Sequence, residues 1–205
     1  MSRILTAEHI RKSFGNHTVL KDINLNVEKG DVVSILGPSG TGKTTFLRCL
    51  NYLEQPDSGK LTIDDVSVDF SKISKDEVKR LRRKSTMVFQ QFNLFPNMTI
   101  KQNIMLAPVK LGKMTKDEAS AKADELLARI GLSEKADLYS PQLSGGQKQR
   151  ISIGVALLMD PRLVIADEPV SALDVTVQSQ ILNLLLKLHA EKQMTILFIS
   201  HDLNV

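Results

Sequence analysis

The sequence is poor in cysteine and in aromatic residues. Cys49 is the only cysteine of the 205 residues, so an internal disulfide is excluded and a reducing compartment is favoured. Its neighbours in "FLRCLNYL" predict a buried apolar filler rather than a nucleophile. Aromatic residues make up only 4% of the chain, whereas nucleic-acid binders often interleave aromatics with basic residues. The composition therefore argues against a secreted disulfide scaffold and predicts no nucleic-acid partner.

The chain also lacks a long apolar run and a strong excess of one charge. Its start, "MSRILTAEHIRKSF", has no continuous apolar stretch of the kind found in signal peptides, and no run approaches the length that crosses a bilayer. The formal net charge is +4. The densest basic run, residues 79–84, is interpreted as the solvated face of a helix, with an acidic partner surface as the alternative. We expect a cytoplasmic chain that reaches a membrane only through a partner.

Strand and helix patterns alternate along much of the chain. Strand patterns at 3–10 and 18–27 precede the apolar run "DVVSILG", and further strands are expected at "RLVIADE" and "MTILFIS". A helix is predicted between these last two, with one apolar face. Alternation of this kind predicts an α/β fold with a mostly parallel sheet.

One internal segment, residues 96–158, is dominated instead by helix-forming residues. One predicted helix there is capped by Thr115 and ended by Gly131. We therefore expect a single domain over 1–205, with a nucleotide-binding core in 1–95 and 159–205 and an inserted helical subdomain in 96–158.

A glycine-rich loop, "GPSGTGKT", matches G-x-x-x-x-G-K-[ST] between a predicted strand and a predicted helix. Its backbone amides would converge on phosphate oxygens, Lys43 would reach the terminal phosphates, and the Thr44 hydroxyl would bind Mg²⁺. A chance glycine loop is improbable in this context. The predicted phosphate-binding residues are Gly37, Pro38, Ser39, Gly40, Thr41, Gly42, Lys43, Thr44 and Thr45.

Polar residues end the last two predicted strands. Asp167 suits a Mg²⁺ contact, and Glu168 is placed to deprotonate an attacking water. His201 ends the next strand and could reach a γ-phosphate, because parallel strands end at one rim of a sheet. The alternatives are a solvated acidic turn and a structural histidine.

Together these residues resemble the ATP-binding cassette (ABC) ATPase family. The resemblance covers nearly the whole chain and includes the signature "LSGGQ", the Q-loop at Gln90 and the D-loop "SALD" at 171–174. It implies a P-loop NTPase (RecA-like) core with an N-terminal antiparallel β subdomain. It also implies ATP and Mg²⁺ as ligands, Gln90, Glu168 and His201 as catalytic residues, and Thr44, Gln90 and Asp167 as the metal site. Phe14 stands where the family stacks an aromatic on adenine.

The resemblance also implies partners. Family members pair head to tail, so that the second glycine-rich helix start, at Ser144, Gly145, Gly146 and Gln147, contacts the nucleotide held by the other subunit. Gln90 and the helical segment would receive a transmembrane permease, with a substrate-binding protein as an indirect partner. The expected location is the inner face of the cell membrane.

The cargo and some family features differ between segments. "FQQFNLFPNMTIKQNIMLAPVKLGK" resembles importers of polar amino acids, whereas "ADEPVSALDVTVQSQILNLL" resembles the oligopeptide and nickel branch. Val155 stands where the family usually has arginine, and the sequence ends soon after His201, so the usual C-terminal end is expected to be missing. The leading hypothesis is an importer ATPase. The alternatives are a soluble ABC protein without transport, an ATP-binding scaffold or a truncated or designed ABC domain with little turnover, and an importer ATPase for peptides or metal.

Overall fold

The computed structural model describes residues 2–158, 160–171, 173–192 and 194–199. In chain order, the main elements are β1 (Arg3–Phe14), β2 (His17–Glu28), β3 (Val32–Ile35), α1 (Lys43–Leu50), β4 (Ser58–Ile63), β5 (Val66–Asp69), α2 (Lys75–Lys84), β6 (Ser85–Val88), α3 (Ile100–Lys110), α4 (Lys116–Arg129), α5 (Gly145–Leu158), β7 (Leu163–Ala166), α6 (Val175–Lys192) and β8 (Thr195–Ile199). Within the described ranges, none of the helices combines the length and the apolar character that a bilayer crossing requires.

Contacts divide the chain into two compact units. The first unit consists of the described residues of Met1–Met87, Pro161–Glu168 and Leu188–Val205, and the second consists of those of Val88–Asp160 and Pro169–Lys187. The second unit thus takes in a stretch after the predicted helical subdomain, while the boundaries at 95/96 and 158/159 stay predictions.

An antiparallel sheet with the order β2-β1-β4-β5 belongs to the first unit. β1 and β2 are longer than their sequence patterns indicate and turn at Gly15, whose φ of 57° lies in the left-handed region. Leu5, Leu61 and Ile63 are fully buried on one face, so this sheet shares the core of the first unit.

A parallel sheet with the order β3-β8-β7-β6 positions the candidate site. β8 pairs in parallel with both β3 and β7. All four residues of β7 are buried, as expected for a central strand covered on both faces. The strand ends of β3 and β7 are followed by the glycine loop and by Asp167, which places both at the carboxyl edge of one sheet.

The second unit has a core formed largely by α3, α4 and α5. Ile104, Leu127 and Ile151 are buried together in it. α3 begins with a capping box at Thr99, and α4 begins with one at Thr115, the residue that the sequence predicts as its cap. These helices confirm the helical character predicted for this segment.

Candidate functional site

The glycine loop ends directly at the start of α1. Gly42 is the residue before the helix, with a φ of 93°, and its carbonyl accepts the Phe46 amide at 2.8 Å. A Cβ added at Gly42 would lie 2.8 Å from Val19 Cγ1. Glycine is therefore required here both by the backbone conformation and by the close approach of β2.

Lys43 lies folded over this loop. Its ammonium donates hydrogen bonds to the carbonyl oxygens of Gly37 and Pro38, each at 2.7 Å. The Thr41 hydroxyl also donates to the Pro38 carbonyl, at 3.0 Å. The cation is thus held among the loop's carbonyl dipoles, where phosphate oxygens could replace these acceptors.

Asp167 is brought to the first turn of α1. Its Oδ1 accepts a hydrogen bond from the Thr44 hydroxyl at 2.8 Å, and the Arg48 guanidinium lies 3.8 Å from Oδ2. The carboxyl residue is only 5% exposed. Burial raises the pKa of Asp167 above its usual value. The hydrogen bond from Thr44 and the charge of Arg48 act in the opposite direction but offset only part of this increase. A buried carboxylate beside a hydroxyl offers the hard oxygen ligands that Mg²⁺ prefers.

A cavity of about 260 Å³ opens beside these residues. It is lined by Val19, Ser39, Gly40, Gly42, Lys43, Thr44, Thr45 and Glu168. Glu168 has a φ of 50°, an uncommon conformation for a residue other than glycine. The structure therefore gathers much of the predicted phosphate loop and the predicted base around one cavity.

Phe14 lies at the end of β1 in the same unit, with 48% of its surface exposed. It does not line the cavity. The Lys12 ammonium lies over its ring, 4.7 Å from the ring centroid. The sequence analysis did not single out Lys12 or Arg48. The contact of Lys12 with Phe14 could have been predicted, because residues two apart on one strand point to the same side.

The signature residues begin α5 in the second unit. The Ser144 hydroxyl accepts the Gln147 amide at 3.3 Å, and Gln147 Oε1 accepts the Ser144 amide at 3.0 Å. A Cβ added at Gly146 would lie 2.5 Å from Val177 Cγ1. The motif thus has a structural role, because it caps α5 and lets that helix pack against the start of α6.

The other predicted site residues are placed as follows. Gln90 is exposed in a bend after β6, in the second unit. In the D-loop, Asp174 Oδ1 accepts the Val177 amide at 3.0 Å and so caps α6. His201 and Ala172 lie outside the described residues.

Comparison with known proteins identifies the relatives of this chain. The family profile described as ABC transporter matches residues 20–171. The chain belongs to the ABC transporter family. It is 47% identical over 202 residues to an L-cystine import ATP-binding protein of Bacillus subtilis, covering 98% of this chain and 81% of the relative. It is 44% identical over 201 residues to an arginine transport ATP-binding protein of the same species, covering 98% and 77%.

A solved structure extends the likeness to the fold. The dimeric ATP-binding cassette MJ0796, in a post-hydrolysis state bound to ADP and Pi, superposes with a TM-score of 0.84 at 37% identity, covering 98% of this chain and 89% of that one. The predicted P-loop NTPase fold is therefore confirmed. This chain is an ATP-binding ABC ATPase, and the scaffold and non-transport alternatives are not favoured.

Proposed function

We propose that this ABC ATPase powers the import of polar amino acids by hydrolysing ATP at the cavity beside Lys43 and Glu168. The observation that carries the site assignment is the hydrogen bond between Thr44 and the buried Asp167, formed where two strands of one parallel sheet end. It joins the phosphate loop to the acidic pair, with Glu168 on the cavity wall.

Glu168 acts as the general base. Its carboxylate accepts a proton from water as the water oxygen attacks the γ-phosphorus, and ADP leaves with the electrons of the broken P–O bond. Lys43 holds the terminal phosphates, and the backbone amides of residues 37–45 surround them. We assign to His201 the contact with the γ-phosphate, and to Gln90 the catalytic and metal-binding roles that the family resemblance implies.

Thr44 and Asp167 would hold Mg²⁺. When bound, the ion neutralises charge on the phosphate oxygens. The geometry supports this assignment because the Thr44 hydroxyl and Asp167 Oδ1 are already 2.8 Å apart. Two oxygen atoms this close can exchange their mutual hydrogen bond for coordination of one cation.

Partners follow from the relatives. Two copies would pair head to tail, each offering Ser144, Gly145, Gly146 and Gln147 to the nucleotide of the other; the dimeric state of MJ0796 supports this. A transmembrane permease, and indirectly a substrate-binding protein, would complete an importer at the inner face of the cell membrane. Polar amino acids are proposed as cargo because relatives import cystine and transport arginine.

Hydrolysis by the purified chain tests the site. Phosphate release should require Mg²⁺ and fall at least roughly 100-fold in Glu168→Gln, which keeps size and polarity but removes the base. ATP affinity, measured by calorimetry without Mg²⁺, should be nearly unchanged in that variant. Full turnover in Glu168→Gln would show that another group is the base.

A further inference from the structure

The ring of Phe14 is covered on one face by a cation. Lys12 Nζ lies 4.7 Å from the ring centroid, within the distance at which an ammonium is attracted to an aromatic face. Residues two apart on a strand point to the same side, so this contact follows from the course of β1. The ring is otherwise half exposed, and the contact restricts its movement.

Lys12 is itself held firmly. Its ammonium lies 2.7 Å from Glu54 Oε1 and donates a hydrogen bond to the Gln55 carbonyl at 2.8 Å. Only 11% of the Lys12 side chain is exposed. The hydrogen bond to Glu54 raises the pKa of Lys12, so the side chain stays charged at neutral pH. A free surface lysine would have none of these constraints.

The segment that holds Lys12, residues 54–57, forms hydrogen bonds both with the last part of α1 and with β1. The Glu54 amide donates to the Arg48 carbonyl at 3.2 Å. Asp57 makes two contacts with β1: its Oδ2 accepts the Ser13 amide at 2.7 Å, and its own amide donates to the Arg11 carbonyl at 2.9 Å. α1 begins at Lys43, so one helix leads from the phosphate loop to the support of Phe14.

We propose that Lys12 is a positioning residue for the nucleotide base, held by Glu54 against one face of Phe14 so that the other face is left for adenine. The inference rests on the stacking of Phe14 on adenine that the family resemblance implies. A ring already fixed by a cation loses less conformational freedom when the base stacks on it. The support would thus strengthen binding of the base without contacting the phosphates.

Calorimetry with two ligands tests this. ATP carries base and phosphates, whereas inorganic tripolyphosphate carries phosphates alone; both are titrated without Mg²⁺, so that nothing is hydrolysed. Lys12→Met, which keeps the aliphatic stem, should raise the Kd for ATP roughly two- to fivefold. The Kd for tripolyphosphate should not change. Glu54→Gln should have a smaller effect in the same direction, and Lys21→Met, at an exposed lysine of β2, should have none.

The outcomes separate this inference from the proposed function. Unchanged ATP affinity in Lys12→Met, or equal losses for ATP and tripolyphosphate, would overturn the role of Lys12. Phe14→Ala is the second reference: if it leaves ATP affinity intact, the stacking role of Phe14 itself fails. In a Phe14→Ala background, Lys12→Met should cost nothing further. An additional loss there would mean that Lys12 contacts the nucleotide directly, and would overturn the positioning role.

Discussion

Gln149 is a buried polar residue whose side chain has no hydrogen-bonding partner among the described residues. It lies in α5 and is 1% exposed, and neither its Oε1 nor its Nε2 is hydrogen-bonded within the part of the chain that the structure describes. Buried amides are nearly always hydrogen-bonded, because an unmatched one retains the full cost of losing water. We therefore expect Gln149 to lower the free energy of unfolding.

Gln149→Met should stabilise the chain. Methionine has a similar volume and no polar group to desolvate, so the expected gain in the free energy of unfolding is roughly 1–3 kcal/mol, measured by urea denaturation. Gln180→Met is the matched control, because Gln180 is exposed and accepts a hydrogen bond from Arg150 at 2.6 Å. It should give no gain. Destabilisation by Gln149→Met would indicate that the amide has a partner in solution.

At the scale of elements, the glycine before α1 and the glycine after α4 differ in what surrounds them. Gly42 combines a positive φ with a close neighbour on β2, whereas Gly131, which follows α4, has a φ of 69° and no atom of a described residue within 4 Å of an added Cβ. The two glycines therefore separate the cost of backbone conformation from the cost of steric overlap.

Gly131→Ala should lower the free energy of unfolding by roughly 1–2 kcal/mol, the cost of a left-handed L-residue. Gly42→Ala should lower it further, because the new methyl group meets Val19. It should also weaken ATP binding, since the loop must shift. Denaturation and calorimetry on both variants measure this, and equal losses of stability with unchanged ATP affinity would contradict it.

Elements with strong local patterns were predictable from sequence, while their spatial neighbours were not. The helix capped by Thr115 and the buried strand before Asp167 were both recognised, because caps and apolar runs are local signals. The sheet order β3-β8-β7-β6 was not predicted, since pairing joins residues far apart in sequence. For the same reason the Glu54–Lys12 ion pair and the close contact of Gly146 with Val177 escaped sequence reasoning. The residues of the motifs could be identified from the sequence, whereas the residues that contact them in the fold could not.

At the scale of the whole molecule, the proposed pairing can be tested through one side chain. Glu168→Gln should bind ATP without cleaving it and so accumulate an ATP-dependent dimer, which sedimentation can detect. Within that background, Ser144→Asn and Ser144→Asp both retain an acceptor for the Gln147 amide. They are nearly the same size and differ in charge.

Ser144→Asn should preserve the dimer, whereas Ser144→Asp should abolish it, because a carboxylate at the start of α5 would repel the partner's γ-phosphate. ATP affinity of the monomer should stay the same in both, as calorimetry can verify. A dimer that survives the aspartate would leave the signature with only its structural role of capping α5.

The single cysteine has a consequence for how the molecule opens. Cys49 is fully buried in α1, and burial raises the pKa of its thiol to about 12. Alkylating reagents react with thiolates, so the native chain is protected twice, by exclusion and by protonation. The rate of Cys49 labelling therefore reports how often α1 separates from the core. Because α1 also carries Lys43, bound ATP should slow the alkylation of Cys49. The decrease in the labelling rate then measures how strongly ATP stabilises this helix in its packed position.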